Sequence, residues 1–412
     1  MNTFERYESN VRGYCRTWPV VFDTARNAKQ WDVDGNEYID FFSGAGVLNF
    51  GHNNPKFRKA LISYLEAEGV SHSLDMHSRS KKEFIERFVE VILEPRGLDY
   101  KLQFTGPTGT NVVEAALKLA RKVTGRRDVV AFTDGFHGMT LGALACTGNQ
   151  KFHQAAGVEL NNIIRVPFDG YLGEGVDTLE PLRRALQDPS SGINAPAAFI
   201  LETIQAEGGI NVARKEWLQQ VQQLAREHGS LLIVDDIQAA VGRTGNYFSF
   251  ENLGIEPDLV CLAKGIGGYG IPMGILLIKP ELDQWQPGEH TGTFRGQNLS
   301  FVAGTAALEY FENDEFLAEV RRKGALTEER LQDIILRAND GIELRGCGMI
   351  HGLDMGTGEK ASAVVAKAFE HNLIIPTCGP NGRVVKVMPP LTIEDDVLNE
   401  GLDRLEKAIV HP

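Results

Sequence analysis

Apolar residues in this chain recur in two rhythms. Between about residues 101 and 278, short β-branched runs alternate with stretches whose apolar positions repeat every three or four residues. The runs at 129–132, 163–166, 198–202, 231–234 and 259–262 are rich in Val, Ile, Leu and Phe, as expected of strands buried on both faces. Their alternation with helical stretches predicts a mostly parallel sheet with helices on both sides. Upstream, QWDVDGNEYIDFF (30–42) alternates apolar and polar positions around an Asp-Gly turn and predicts a hairpin. Residues 54–68 carry a helical period behind Pro55. From about Asn298 the texture changes. Long helical stretches at 299–311 and 315–338 precede a mixed segment at 343–355, 361–369 and 384–391, which predicts a separate, smaller α+β domain.

At 412 residues the chain can bury a large core and is expected to form more than one domain. Its net charge of −13 argues against nucleic acid or an anionic membrane as partner, since both select basic patches. No apolar run approaches a membrane span, and the N-terminal MNTFERYESN has neither the basic nor the apolar block of a secretory signal. Cys15, Cys146, Cys261, Cys347 and Cys378 are scattered and odd in number, with no CxxC spacing. They predict reduced thiols in a cytoplasmic protein, with no disulfide framework and no zinc or other metal site.

Two stretches about thirty residues apart, one strand–helix–strand unit, carry most of the chemistry. In LLIVDDIQAAVGRTG (231–245) and DLVCLAKGIGGYGIPMG (258–274), an apolar run breaks into polar residues and glycines. In open α/β sheets that end of a strand is where ligands bind. One end presents Asp235, the other Lys264. An amine that can join an aldehyde, and a carboxylate that can keep a pyridine nitrogen protonated, are what pyridoxal 5′-phosphate requires. A lysine partly withdrawn from water loses its proton more readily and can act as nucleophile and base. The plainer alternatives are a surface lysine before a glycine turn and an Asp235 that caps a helix. Asp236 should point away from Asp235. Gln238 is placed to bond the cofactor's ring hydroxyl.

Weaker signals surround this pair. TGPTGTNVVEAALKLA (105–120) reads as a glycine-rich turn opening an amphipathic helix. Gly106 and Gly109, the hydroxyls of Thr108 and Thr110, and the free N–H groups of the helix start suit a phosphate, although a simple capping turn explains the pattern nearly as well. Phe136 could stack on a pyridine ring. His137 beside it is either a cofactor neighbour or, more plainly, a buried histidine with a backbone partner. Glu202 and Glu207, in LETIQAEGG, follow another apolar run. Thr293, among the glycines of HTGTFRGQN (290–298), is a second phosphate donor or a turn residue.

These motifs, in this order, resemble the class III pyridoxal-phosphate aminotransferases over nearly the whole chain. The likeness begins at WDVDGNEYIDFFSGAGVLNFGHNNP (31–55) and continues through Thr108-Gly109-Thr110, Phe136-His137-Gly138, Glu202 to Glu207, DDIQ with GRTG, Lys264 and Thr293, ending at 385–391. The resemblance implies an α/β fold of type I, with a mostly parallel sheet in a large cofactor-binding domain (56–297). It implies a small α+β domain (298–412) joined by the N-terminal segment (1–55). It also implies a homodimer, or a larger assembly of dimers, with the cofactor at the interface. Gly109 and Thr110 would then hold phosphate from one subunit and Thr293 from its neighbour. Phe136 would stack on the ring, and Glu207 would help gate substrate choice.

Within the class, WPVVF (18–22), VPFDGYLG (166–173), QAEGGINVA and GTFRGQN resemble the diaminobutyrate–2-oxoglutarate aminotransferases of ectoine-type pathways. Many relatives carry an arginine near position 386 to grip the glutamate carboxylate. Here VVKVMPPLTI has Lys386, as that subgroup does, whereas the loop LAKGIGGYGIPMG looks more like the general class. The expected reaction passes the amino group of L-glutamate to aspartate 4-semialdehyde. The rival readings are an ornithine, acetylornithine or 4-aminobutyrate aminotransferase, or an aminomutase or racemase of the same fold.

Overall fold

The computed structural model describes residues 3–410. Seven strands form its central sheet. From one edge they run Lys101–Phe104, Ile275–Ile278, Leu259–Leu262, Leu231–Asp235, Ala198–Leu201, Val129–Phe132 and Ile163–Val166. The last five are mutually parallel, and Ile275–Ile278 is antiparallel to both of its neighbours. Every residue of Val129–Phe132, Ala198–Leu201, Leu259–Leu262 and Ile275–Ile278 is buried. That burial is why these strands read as unbroken apolar runs rather than alternating ones. One face packs under the Gly109–Thr124 helix, whose Val112, Val113, Ala116 and Leu119 meet Val129, Ile200 and Ile233. The other face carries Phe199, Val234 and Leu262 into a larger cluster with Trp217, Phe248 and Phe301.

The hairpin forms as expected, Lys29–Asp32 pairing antiparallel with Glu37–Asp40, and Phe22–Arg26 adds a third strand. A fourth strand, Leu373–Ile374, pairs in parallel with Glu37–Asp40. Its two residues are too few to stand out in a sequence. Through it the N-terminal strands join the C-terminal part of the chain, and Ile39 and Phe41 share a core with Leu331, Leu353, Val385 and Leu402. A second, antiparallel sheet holds Glu343–Cys347, Ile350–Asp354, Val384–Val387 and Thr377–Cys378. The Asn298–Leu308 helix sends Phe301, Ala307 and Leu308 into the core of the large sheet, and the chain crosses to the smaller core along Glu315–Ala338. No helix among the described residues is long and apolar enough to cross a membrane.

Arg243 ties the two cores together. Its guanidinium is wholly buried and donates to the carbonyls of Met349 (3.0 Å) and Pro389 and to Asn49 Oδ1 (2.6 Å). One cation thus bridges a loop of the large sheet to residues from both ends of the chain. Arg243→Met would leave those acceptors buried without donors, at about 1–3 kcal/mol for each group left unpaired. The expected loss is about 3 kcal/mol or more, read as a lower urea midpoint. A midpoint within experimental error of the parent would contradict the clamp.

Candidate active site

The two informative strands end side by side. Asp235 is the last residue of its strand and sits opposite Cys261 in the parallel ladder, three residues before Lys264. Lys264 opens a single helical turn, Lys264–Gly267, with φ at +53°. A left-handed backbone at a residue with a β-carbon is strained by about 1–2 kcal/mol, so the surroundings must hold it. They include the Asn49 side chain, which a β-carbon on Gly265 would strike. The Lys264 amine makes no hydrogen bond or ion pair among the described residues. Burial pushes its pKa down to about 8. Glu207, Asp235 and Glu202 pull it back up, while Lys386 adds to the fall. The structure therefore gathers Lys264, Asp235, Glu202, Glu207 and Lys386 within electrostatic reach of one another.

Asp235 is buried, with Oδ2 2.8 Å from His137 Nδ1 and Oδ1 accepting from the Ile237 N–H at 3.2 Å. His137 also gives its backbone N–H to Thr147 Oγ1 at 3.0 Å. Its ring partner is thus a carboxylate and not the backbone group that the plainer reading supposed, because the loop after Val129–Phe132 folds directly over the end of the Leu231–Asp235 strand. Asp236 points the other way, as expected. Its Oδ2 accepts from the Ser249 N–H at 2.9 Å while Oδ1 is buried without a partner. Burial pushes its pKa up to about 7.

Glu202 is buried and accepts from the N–H groups of Phe136 (2.9 Å) and Ala206 (3.3 Å). Burial and then the nearby Asp235 push its pKa well up, toward the neutral acid. Glu207 lies in the turn between two short paired strands, Ile204–Gln205 and Asn211–Val212, a hairpin absent from the apolar pattern. Burial alone would raise its pKa, but Lys386 and Lys264 outweigh burial and hold it below the usual range. Lys386 Nζ is 2.5 Å from Glu207 Oε1 and 3.3 Å from Gln238 Oε1, and Gln238 Nε2 donates to Glu207 at 3.2 Å. Lys386 is buried as well. Burial would lower its pKa, but Glu207 raises it overall. Lys386, Glu207 and Gln238 form a closed clasp beside the free amine.

Gly109 packs against Ile237, the residue between Asp236 and Gln238, so closely that a β-carbon would overlap its side chain. The backbone N–H groups of Gly109 and Thr110, in the first turn of their helix, find no acceptor among the described residues. The threonine hydroxyls behave differently from expectation. Thr108 turns to Asn111 Oδ1 (2.8 Å), and Thr110 lies 2.6 Å from the Thr140 hydroxyl. Thr140 and its partner Glu114 were invisible in the sequence, since nothing marks two polar residues twenty-six positions apart as neighbours. The Phe136 ring meets Phe152 edge-on at 6.0 Å. Thr293 is exposed and has no bond to any of these residues. Its loop is held through Asn298, whose side chain bonds Ser73, Ser78 and Ser80.

The family described as aminotransferase class-III matches residues 12–409. The chain belongs to the class III aminotransferases. It is 52% identical to a diaminobutyrate–2-oxoglutarate transaminase of Halalkalibacterium halodurans, over 99% of this chain and 96% of the relative. It is 54% identical to an uncharacterized aminotransferase, y4qG, of Sinorhizobium fredii, over 98% and 91%. Among solved structures, the ornithine aminotransferase of Toxoplasma gondii superposes with a TM-score of 0.86 at 26% identity, over 99% of this chain and 93% of that one.

Class III aminotransferases use pyridoxal phosphate, and the site fits that group. It offers an amine with no partner, a carboxylate at the neighbouring strand end and two free N–H groups for a phosphate, framed by glycines packed too closely to admit a β-carbon.

Asp236 supplies a stability test. Its pKa is raised from 3.8 to about 7 in the folded protein, so folding favours the protonated carboxyl. The benefit is full below about pH 4 and is lost as pH rises through 7. Asp236→Asn, which mimics the protonated form, should raise Tm over the parent by more at pH 8 than at pH 5. A difference in Tm that does not change with pH would rule this out.

Proposed function

We propose that this protein transfers the amino group of L-glutamate to aspartate 4-semialdehyde, reversibly, giving 2-oxoglutarate and L-2,4-diaminobutyrate, with Lys264 at the centre of the reaction. The observation that carries the reading is the identity with the Halalkalibacterium transaminase along almost the entire chain. The clasp of Lys386, Glu207 and Gln238 beside a free amine supports it. Five free thiols support a reducing, cytoplasmic setting.

When bound, pyridoxal phosphate supplies an aldehyde that accepts an amino group and a ring that withdraws electrons from the adjoining carbon. The chain's residues do the rest. Lys264 Nζ holds the cofactor at rest. The same Nζ would take the proton from the carbon bearing the substrate's amino group, a task suited to an amine whose pKa lies near 8. Asp235 keeps a proton on the ring nitrogen, and His137 fixes the direction of that carboxylate. Gln238 orients the ring hydroxyl, Phe136 covers a ring face, and Glu202 holds Phe136 in place through its N–H. The N–H groups of Gly109 and Thr110 take the phosphate. Lys386 receives the far carboxylate of glutamate when Glu207 releases it, so Glu207 competes with anionic substrates for one cation.

The exposed Thr293 supports a dimer in which this residue reaches the partner's cofactor. Beside it, Phe294 is 61% exposed and packs on His72, and Val70 and Met76 are exposed on the adjoining segment. An apolar group of this kind is suited to a second copy.

The decisive test offers the purified holoenzyme L-glutamate with aspartate, glutamate, succinate or N-acetylglutamate semialdehyde in turn, and follows 2-oxoglutarate release. Preference for aspartate semialdehyde is expected. Preference for a longer aldehyde would overturn the substrate assignment, and activity that persists without any keto acid or aldehyde partner would overturn the reaction class. Lys264→Ala should lower turnover by roughly 10²–10⁴-fold, the usual worth of a positioned proton-transfer group. Phe294→Glu should shift the protein to a monomer in light scattering and weaken cofactor retention. A stable dimer with full retention would exclude the proposed interface.

A further inference from the structure

Glu114 lies on the second turn of the Gly109–Thr124 helix, one turn beyond Thr110. Its Oε1 accepts three hydrogen bonds, from the Thr140 hydroxyl (2.6 Å) and from the N–H groups of Gly142 (2.9 Å) and Ala143 (3.1 Å). An oxygen that already accepts two N–H groups has no proton to give to Thr140, so the Thr140 hydroxyl is the donor. The short contact between Thr140 and Thr110, 2.6 Å, must then run from the Thr110 hydroxyl to Thr140. The Thr140 N–H returns a bond to Thr110 Oγ1 at 3.2 Å. Every proton in the group is committed, and the direction of each bond follows from the carboxylate at its end.

Two consequences follow for the cradle. The Thr110 side chain is a strut whose proton is spent on Thr140, leaving the backbone N–H groups of Gly109 and Thr110 as the donors free for an anion. In addition, Glu114 anchors the start of the Leu141–Cys146 helix, and Arg165 anchors its end by donating to the carbonyls of Ala145 (2.7 Å) and Thr147 (3.1 Å). An acid at the first turn and a base at the last both favour the helix dipole. A helix of six residues is too short to be stable by itself, so these contacts fix the preceding loop, which carries Phe136, His137 and Thr140. Close packing leaves that loop little slack. A β-carbon on Gly138 would overlap the Thr110 side chain, and one on Gly142 would overlap the Glu114 carboxylate.

We propose that Glu114 is the positioning residue of the phosphate cradle, fixing through Thr140 the direction of the Thr110 hydroxyl and the place of the Phe136–Thr140 loop. This rests on the reading of the site as a pyridoxal-phosphate site, and the test separates the two. Apo-protein of the full chain is titrated with pyridoxal 5′-phosphate and, separately, with phosphate-free pyridoxal, each followed by absorbance. For the parent, tighter binding of the phosphorylated form is the premise, and its absence would defeat the reading of the site itself. Given that premise, Glu114→Ala should weaken pyridoxal phosphate by about 10- to 100-fold, the scale of lost charge-assisted hydrogen bonds, and weaken pyridoxal, which feels only the loop that carries Phe136, by a clearly smaller factor. The phosphorus resonance of the bound cofactor should shift. Glu114→Gln, which keeps an acceptor oxygen, should restore most of the affinity. Glu114→Asp, one methylene shorter and less disruptive to folding, should reproduce the selective loss. Equal weakening of both ligands would assign Glu114 a merely structural role, and unchanged binding of both would deny it any; either result overturns the proposal.

Discussion

The arrangement depends on charge balance at one edge of one sheet. The parallel strands end in a largely buried space that holds two amines, Lys264 and Lys386, and three carboxyls, Asp235, Glu202 and Glu207, with a fourth, Asp236, turned away beneath it toward Ser249. So many charges cannot all persist away from water, because each isolated one is heavily penalised. The structure resolves the conflict by dividing roles. Glu202 and Asp236 are driven toward their neutral forms, while Glu207 and Lys386 keep their charges by facing each other. Lys264 is left without a partner and gives up its proton easily. A single amine is thereby made reactive by the way its neighbours are satisfied.

The clasp depends on the same balance. An ammonium is a compact charge whose three donors rotate freely and lack the fixed fork of a guanidinium. Lys386 meets Glu207 at a single oxygen, and Gln238 bonds both partners. Gln238 also lies three residues beyond Asp235, just past the end of the same strand.

Much of this was legible from residue order. Buried parallel strands announce themselves as β-branched runs, and their polar ends pointed directly to Asp235 and Lys264. The Glu315–Ala338 helix also forms as its period foretold. The unread parts have physical reasons in common. The two residues of Leu373–Ile374 carry no period. The hairpin that presents Glu207 is built from strands of two residues each. The Thr110, Thr140 and Glu114 group is created by a loop folding back over a helix, so its hydrogen bonds exist only once the sheet has formed. The ring partner of His137 was unreadable for the same reason, as Asp235 comes from a different strand.

The pairing of Glu37–Asp40 with Leu373–Ile374 bears on how the molecule is made. Ribosomes deliver the Lys29–Asp40 hairpin well before the strand that completes its sheet, which follows more than 300 residues later (Asp40 to Leu373). The strands from Val129 to Ile278 can meanwhile assemble from neighbours closer in sequence, whereas Ile39 and Phe41 wait, uncovered, for partners not yet synthesised. The smaller core therefore closes after the larger one, and the growing chain carries an uncovered apolar segment over that whole interval.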